Sequence, residues 1–247
     1  MVDRQEPALP PIYRAARVEP TAGSPRAVLV RQTAESPEGT LFWSDAQGRL
    51  QLALLLVPEG PFDESAPVAI AAVIALGDAI GALAPPIVGV TNTWPDRIEV
   101  NGGLVGGVTL DRVGPDLAVP ERLVLGVEIA VASDPGHEPG HRPELTSLSE
   151  EGCGEITPVL LLESFARHFL AWLHRWEEDG FVPLRSAWRV RGPRPGTPVV
   201  VAIGGKAIPG RFRDLGAAGE LILDHDGMEH GLSLAEALAA GPSWSLP

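Results

Sequence analysis

The 247-residue chain is poor in cysteine and lysine, and both shortages restrict its chemistry. Cys153 is the only cysteine, so no disulfide can form within the chain, and a reducing compartment is its natural setting. Of the 19 basic residues, Lys206 alone is a lysine and the others are arginines. A mechanism that requires an ammonium group therefore has a single candidate.

Positive charge is also scarce. The 32 acidic residues outnumber the 19 basic ones and give a formal net charge of −13, which disfavours binding to the phosphates of nucleic acid. The most apolar run, Pro67 to Leu76, is about half as long as a membrane span requires and is followed by Asp78, and the first residues lack the pattern of a signal peptide. With 45% hydrophobic residues, the sequence predicts a cytoplasmic protein with a substantial core, independent of membranes and nucleic acid.

Two regions of the chain differ in their pattern of apolar runs and glycines. Residues 1–194 alternate apolar strand-like runs with helical segments, which predicts an α+β domain with a mixed, mainly antiparallel sheet and flanking helices. Residues 195–247 consist of short strand-like runs separated by glycines at intervals of about ten residues. This spacing predicts a second, small C-terminal domain, a β-barrel of SH3 size.

Helix starts carry local signals. Ser24 before Pro25, Ser65 before Pro67, and Thr157 each predict an N-cap, because their hydroxyls can accept a hydrogen bond from the first helical turn. Between two strand-like runs, Asn101, Gly102 and Gly103 predict a tight turn.

The most distinctive stretch is WPDRIEVNGGLVGGVTLD, residues 94–111, in which a Trp-Pro-acid corner enters a strand pair joined by a glycine turn. Gly106 and Gly107 in the second strand would let a ligand approach the backbone closely. They are equally explained by a β-bulge or by close strand packing.

Together with the hairpin GTLFWSDAQGRLQLALLL and the strand LVLGVEIAV, this stretch resembles the biotin and lipoate protein ligase family. The segments occur in the family's order over nearly the whole chain. The resemblance implies the ligase-like α+β fold, a C-terminal SH3-like domain, and a site that activates biotin or lipoate with ATP. It also implies a biotinyl or lipoyl carrier domain as partner.

Several family residues are replaced. Leu104 stands where the resemblance implies the catalytic lysine, and leucine can neither carry charge nor donate a hydrogen bond. Only Gly48 and Arg49 remain of the glycine-arginine loop that closes over the acyl adenylate. Asp96 and Arg97 follow the matching Trp94 and Pro95 in place of Asn and Asp, and Glu128, Ile129 and Ala130 replace a glycine-asparagine strand.

The resemblance therefore predicts ligand-binding residues and assigns no catalytic residue. The predicted ligand-binding residues are Arg49, Trp94, Asp96, Arg97, Leu104, Gly106 and Gly107. Each also has a structural interpretation: Trp94 as a buried aromatic at a strand entry, and Arg49 as a solvated side chain in a hairpin turn.

Two other features give weak signals. Cys153 lies between glycines with no base beside it, so a nucleophilic role is disfavoured. His137 and His141 have a spacing that metal ligands use, but Pro139 and Gly140 separate them and no third ligand is evident. No metal site is predicted.

Three functions remain open. The favoured one is a ligase-like protein that lacks ordinary ligase catalysis and binds a small acyl carboxylate or a carrier domain. The second is a divergent ATP-dependent biotin or lipoate ligase that uses an arginine, best Arg97, in place of the lysine. The third is a non-catalytic interaction module; assembly as a homodimer is compatible with each.

Overall fold

The strands form two sheets in the computed structural model, which describes residues 6–133 and 144–246. A seven-stranded sheet has the order β1-β2-β3-β7-β6-β5-β4, and a four-stranded sheet has the order β11-β10-β9-β8. The strands are β1 (Arg14–Arg17), β2 (Thr40–Ser44), β3 (Arg49–Leu56), β4 (Val90–Thr93), β5 (Arg97–Val100), β6 (Gly103–Val113), β7 (Arg122–Ala130), β8 (Pro198–Ile203), β9 (Lys206–Leu215), β10 (Leu221–His225) and β11 (Met228–Leu232).

The α-helices of the described residues are α1 (Pro25–Gln32), α2 (Phe62–Ser65), α3 (Pro67–Leu83), α4 (Pro158–Asp179), α5 (Phe181–Arg191) and α6 (Leu234–Ala239). Every pairing in the larger sheet is antiparallel except that of β1 with β2, which is parallel. The predicted mixed, mainly antiparallel sheet with flanking helices is confirmed.

Side-chain alternation gives the larger sheet two different faces, because successive residues of a strand point to opposite sides. On one face, α3 and α4 cover large aliphatic side chains such as Leu52, Leu125 and Val108, which belong to the main core. On the other face, α1 covers a small cluster that includes Leu29 and Leu55. The remainder of this second face carries the candidate site.

Helix α3 is the centre of the main core. The span Phe62–Leu83 is long and apolar enough to cross a membrane, but 78% of its most apolar window is buried within the protein. Its alanines allow close packing in the core, Gly77 and Gly81 face Arg191 of α5, and Asp78 near its end is satisfied by Arg191 and Trp172. The apolar character of α3 is therefore accounted for by burial in the core.

Two of the predicted helix caps are confirmed. Ser24 accepts a hydrogen bond from the backbone N–H of Ala27, and Thr157 accepts one from that of Leu160. The cap predicted at Ser65 is wrong: Ser65 ends the short helix α2, and its hydroxyl donates to the carbonyl of Pro61. The chain is already helical before Pro67, so Ser65 does not precede a helix start whose backbone N–H groups need a cap.

The second sheet is an open meander, and the predicted SH3-like barrel is not confirmed. Strands β8 and β11 lie at opposite edges and are not paired with each other. Phe212 and Leu223 on one side of this sheet join the main core, where Phe212 contacts the ring of Trp188 at a centroid distance of 5.8 Å. The sheet buries its apolar face against α5 instead of closing on itself.

Candidate functional site

A groove lies on the α1 face of the larger sheet, above neighbouring positions of β3, β7 and β6. The register places Gln51 opposite Glu128 and Glu128 opposite Gly107, and it places Gly126 opposite Thr109 in the next row. Glycine at position 126 leaves space in the groove that a larger side chain would fill.

The groove has a cavity volume of about 240 Å³, and we call it the main groove because of its place on this face; a larger cavity of about 720 Å³ lies elsewhere, beside Leu56 and Trp176. Its walls come from the start of α1, from strands β3, β6 and β7, and from residues 242–246, which we call the C-terminal tail. The lining residues are Ser24, Pro25, Arg26, Gln51, Leu52, Thr109, Gly126, Val127, Glu128, Pro242, Trp244, Ser245 and Leu246. A side cavity of about 210 Å³ adjoins it and shares Arg26, Thr109 and Pro242.

Thr109 sits on the floor with an unsatisfied hydroxyl. Its residue exposure is 9%, and Oγ1 has no hydrogen-bond partner among the described residues. A Cβ atom placed on Gly126 would lie 2.4 Å from this oxygen, so the hydroxyl stands over the glycine in the main groove. Buried hydroxyls normally have a partner, which makes this atom a site where a ligand or a water molecule is expected.

Arg26 is the only cation among the described residues that line the main groove. Its Nε and Nη2 atoms donate to the two carboxylate oxygens of Asp111 at 2.5 and 2.6 Å, and this pairing raises the pKa of Arg26. The paired geometry fixes the guanidinium at the N-terminus of α1. The partial positive charge of a helix N-terminus and Arg26 together favour an anionic group here.

At the other end of the groove, the charge of Glu128 is neutralised by an arginine, as the charge of Arg26 is neutralised by Asp111. Glu128 accepts hydrogen bonds from Arg49 Nη1 and from Gln51 Nε2, each at 3.0 Å. Arg49 is only 9% exposed and is held in an ion pair with this carboxylate. The predicted anion contact by Arg49 would have to compete with Glu128.

Asp96 is buried at 1% exposure and anchors the C-terminal tail. Its two carboxylate oxygens accept hydrogen bonds from Ser243, one from the backbone N–H at 2.9 Å and one from the hydroxyl at 2.5 Å. Arg97 Nε donates to the same hydroxyl at 2.9 Å. Burial raises the pKa of Asp96 from 3.8 to about 6, in opposition to the hydrogen bonds of Ser243 and the charge of Arg97, which lower it.

Trp244 covers the strand position of Gly107. The indole Nε1 donates to the carbonyl of Val108 at 3.2 Å, and a Cβ atom on Gly107 would lie 2.6 Å from that nitrogen. A residue other than glycine at 107 would also meet the carbonyl of Asp96 at 2.1 Å. Gly107 is therefore required by the strand corner and by the tail.

Leu104 lies at the start of β6 and is 8% exposed. Its backbone N–H donates to the carbonyl of Glu144 and its carbonyl accepts from Thr146, so the residue pairs with a second segment of the chain. At the position of the implied lysine, the structure thus contains a buried aliphatic side chain.

The two remaining predicted residues have structural roles in the described chain. Trp94 is 4% exposed, its indole donates to the carbonyl of Gly219 in the second sheet, and the Trp94–Pro95 peptide bond is cis. Gly106 faces β7, where an added Cβ would lie 2.0 Å from the Glu128 carbonyl. The register shift between Ile98 and Glu99 confirms a bulge at this point.

Neither of the weak signals gains support as a site. Cys153 is buried, and burial followed by the charge of Glu151 raises the pKa of its thiol, which disfavours the thiolate. Among residues 6–133 and 144–246, no group of three His, Cys, Asp or Glu side chains could hold a metal ion. His137 and His141 lie outside the described residues.

None of the seven predicted residues lines the main groove. Asp96 lines the side cavity, Gly107 is covered by Trp244, and Arg49 contacts Glu128, a lining residue. The predicted ligand-binding roles stay predictions. Sequence reasoning missed Arg26, Thr109, Gly126 and the tail as parts of a site. The alternation of small and polar residues with large aliphatic ones in LVLGVEIA and GGVTLD is the signal that could have indicated the floor.

Comparisons with known proteins agree with the architecture. Residues 9–190 match the model of the biotin/lipoate A/B protein ligase family. A curated relative, the biotin--[acetyl-CoA-carboxylase] ligase of Paracoccus denitrificans, is 32% identical over 183 residues, which cover 73% of this chain and 76% of that protein.

Solved structures show the same similarity. A biotin protein ligase-like protein of unknown function from Silicibacter sp. TM1040 has a TM-score of 0.80 and 27% identity, with coverage of 93% of this chain and 98% of that one. The apo biotin protein ligase from Aquifex aeolicus has a TM-score of 0.73 and 17% identity, with coverage of 90% and 95%. At that identity, the second likeness supports the fold alone.

Proposed function

Since the chain belongs to the biotin/lipoate A/B protein ligase family, we propose that it binds a small acyl carboxylate in the main groove and does not perform ordinary ligase adenylation. The observation that carries the binding proposal is the buried hydroxyl of Thr109, which lies between Arg26 and Gly126 and has no hydrogen-bond partner in the part of the chain that the structure describes. It provides an unsatisfied hydrogen-bonding group at the floor of the groove.

The walls of the groove suit a ligand with an apolar chain and an anionic head. Pro25 lines the main groove, and Leu117 and Leu238 line the adjoining side cavity, so apolar surface is present beside the polar groups. At one side, Arg26 supplies a guanidinium that is paired with Asp111 and lies beside the N-terminus of α1. Such a division between apolar walls and a few convergent polar groups is typical of small-molecule sites.

The proposed loss of ordinary adenylation is supported by Leu104 and by the pairing of Arg49 and Arg26 with carboxylates. Removal of one preorganised donor at a developing charge costs about 2.7 to 4 kcal/mol of transition-state stabilisation. Leucine at position 104 supplies no donor, and Arg49 and Arg26 are held by Glu128 and Asp111. Activation of a carboxylate by ATP would lack the cation that it needs.

Isothermal titration calorimetry with biotin, lipoate and octanoate tests the binding proposal. At least one of these ligands should bind the wild-type chain. Gly126→Ala should weaken that binding by about tenfold or more, equal to about 1.4 kcal/mol or more, because the new methyl group would lie 2.4 Å from Thr109 Oγ1 and 3.2 Å from Arg26 Cδ.

The matched control is Gly231→Ala in β11, where an added Cβ has 3.6 Å of space to Ile222. This variant should bind as the wild type does. The proposal fails if none of the three ligands binds, or if Gly126→Ala binds them unchanged.

A divergent ATP-dependent ligase remains the second candidate, favoured by the 32% identity to a protein named as a ligase. In that case Arg26, as the cation in the main groove, would be the best replacement for the lysine. Release of pyrophosphate that is lost in Arg26→Gln and retained in Arg211→Gln, a variant of an arginine in the second sheet, would favour this candidate.

A further inference from the structure

The C-terminal tail occupies the face of the sheet on which the main groove lies. Pro242 lines both the main groove and the side cavity, and Trp244, Ser245 and Leu246 line the main groove. The tail therefore separates two cavities of about 240 and 210 Å³ that share Arg26 and Thr109 on their floor.

The tail is held by a small number of specific contacts. Ser243 makes two hydrogen bonds to Asp96 and accepts one from Arg97, although 146 or 147 positions separate these residues in the sequence. Trp244 adds one hydrogen bond to Val108 and packs against Gly107. The segment has no regular secondary structure of its own.

These contacts would allow the C-terminal tail to undock from the larger sheet. Pro242 and Ser245 are exposed, and Ser243, Trp244 and Leu246 are only partly buried. The floor beneath them is fixed by strand pairing, so release of the tail would not require the sheet to unfold.

We propose that the C-terminal tail is an internal, displaceable occupant of the ligand site, so that docking of the tail and binding of an acyl ligand compete. The inference rests on the proposed ligand-binding function of the main groove. Tail release would merge the main groove with the side cavity and uncover Gly107. A ligand that prefers the open groove would shift the chain toward the undocked state.

Full-length variants measured by calorimetry with biotin, lipoate and octanoate test this competition. Trp244→Ala should increase affinity about tenfold, the gain expected if the wild-type tail is docked about nine-tenths of the time. Ser243→Ala should act in the same direction, because it removes the hydroxyl shared by Asp96 and Arg97. The matched control, Ser186→Ala on the exposed side of α5, should leave affinity unchanged, because Ser186 belongs neither to the tail nor to the lining of the two cavities. Unchanged or weakened affinity in Trp244→Ala would overturn the proposal.

A second measurement does not depend on the small ligand. A fluorescently labelled peptide with the sequence of residues 242–247, PSWSLP, should bind to the full-length double variant Ser243→Ala, Trp244→Ala and bind the wild type at least about tenfold more weakly. Equal binding to both proteins, or binding to neither, would overturn tail docking. If the peptide distinguishes the two proteins but no acyl ligand binds, the proposed function fails and docking of the tail is supported. If an acyl ligand binds but Trp244→Ala does not change its affinity, the proposed function is supported and the competition between tail and ligand fails.

Discussion

On the face covered by α3 and α4, strands β6 and β7 present Val108, Leu125 and Val127 to a continuous core, whereas on the α1 face the same two strands present Thr109 and Gly126 to a groove. Neighbours in sequence thus have opposite roles. On the face packed against α3 and α4, loss of side-chain volume should destabilise the core. On the groove face, added side-chain volume should block the groove. Stability and ligand binding should therefore respond to different substitutions in the same strand, and the predictions below test that separation.

The largest stability effect is expected on the core face. Leu125 is fully buried, so Leu125→Ala should lower the free energy of unfolding by about 2 to 5 kcal/mol. Urea unfolding of Leu125→Ala and of its neighbour Gly126→Ala gives the comparison. The separation of the faces is wrong if Gly126→Ala is the more destabilised of the two.

Asp96 should add a pH dependence to the stability of the fold. An unfolded Asp96 ionises near pH 3.8, whereas the folded residue keeps its proton to about pH 6, because burial disfavours the carboxylate. The folded chain then binds more protons in this window. The contribution of Asp96 should be most favourable below about pH 4 and decline by about 2 to 3 kcal/mol as the pH rises to about 6.

Unfolding of the wild type and of Asp96→Asn at several pH values between 4 and 7 measures this effect. The wild type should lose stability relative to Asp96→Asn as the pH rises through the window, and the difference should be constant above it. Parallel pH profiles of the two proteins would show that Asp96 titrates normally.

A smaller and opposite effect is expected at Thr109. Because its hydroxyl is buried without a partner among the described residues, Thr109→Val should raise the free energy of unfolding by about 1 kcal/mol. The same variant should weaken binding of an acyl ligand, and Thr109→Ser should retain binding. A variant that is both less stable and unimpaired in binding would show that the hydroxyl serves the fold.

The parts of the structure that the sequence predicts are those determined by neighbouring residues. Ser24 and Thr157 cap helices because the N–H groups they satisfy lie three positions away. Asn101 and Gly102 form the predicted turn with φ values of 50° and 89°, which suit asparagine and glycine. The cap at Ser65 failed because a short preceding helix, anchored by the Phe62 N–H to Ala118, already supplies the first turn.

The candidate site was harder to predict, because long-range contacts assemble it. Trp94 and Asp96 were selected by their motif, but their partners are Gly219 and Ser243, which belong to the C-terminal region. Whether four short strands close into a barrel depends on the pairing of their edges, and glycine spacing does not specify that. The resemblance identified the family and the missing lysine, yet no motif indicated that residues 242–246 would line the groove.

ATP-dependent pyrophosphate exchange by the purified wild-type chain, with biotin, lipoate and octanoate, tests most directly whether adenylation has been lost. With a buried leucine at position 104 and the groove arginine paired to Asp111, no ligand should raise exchange above the level without ligand. Robust exchange with any of the three would contradict this account and would make the chain a working ligase with a different cation.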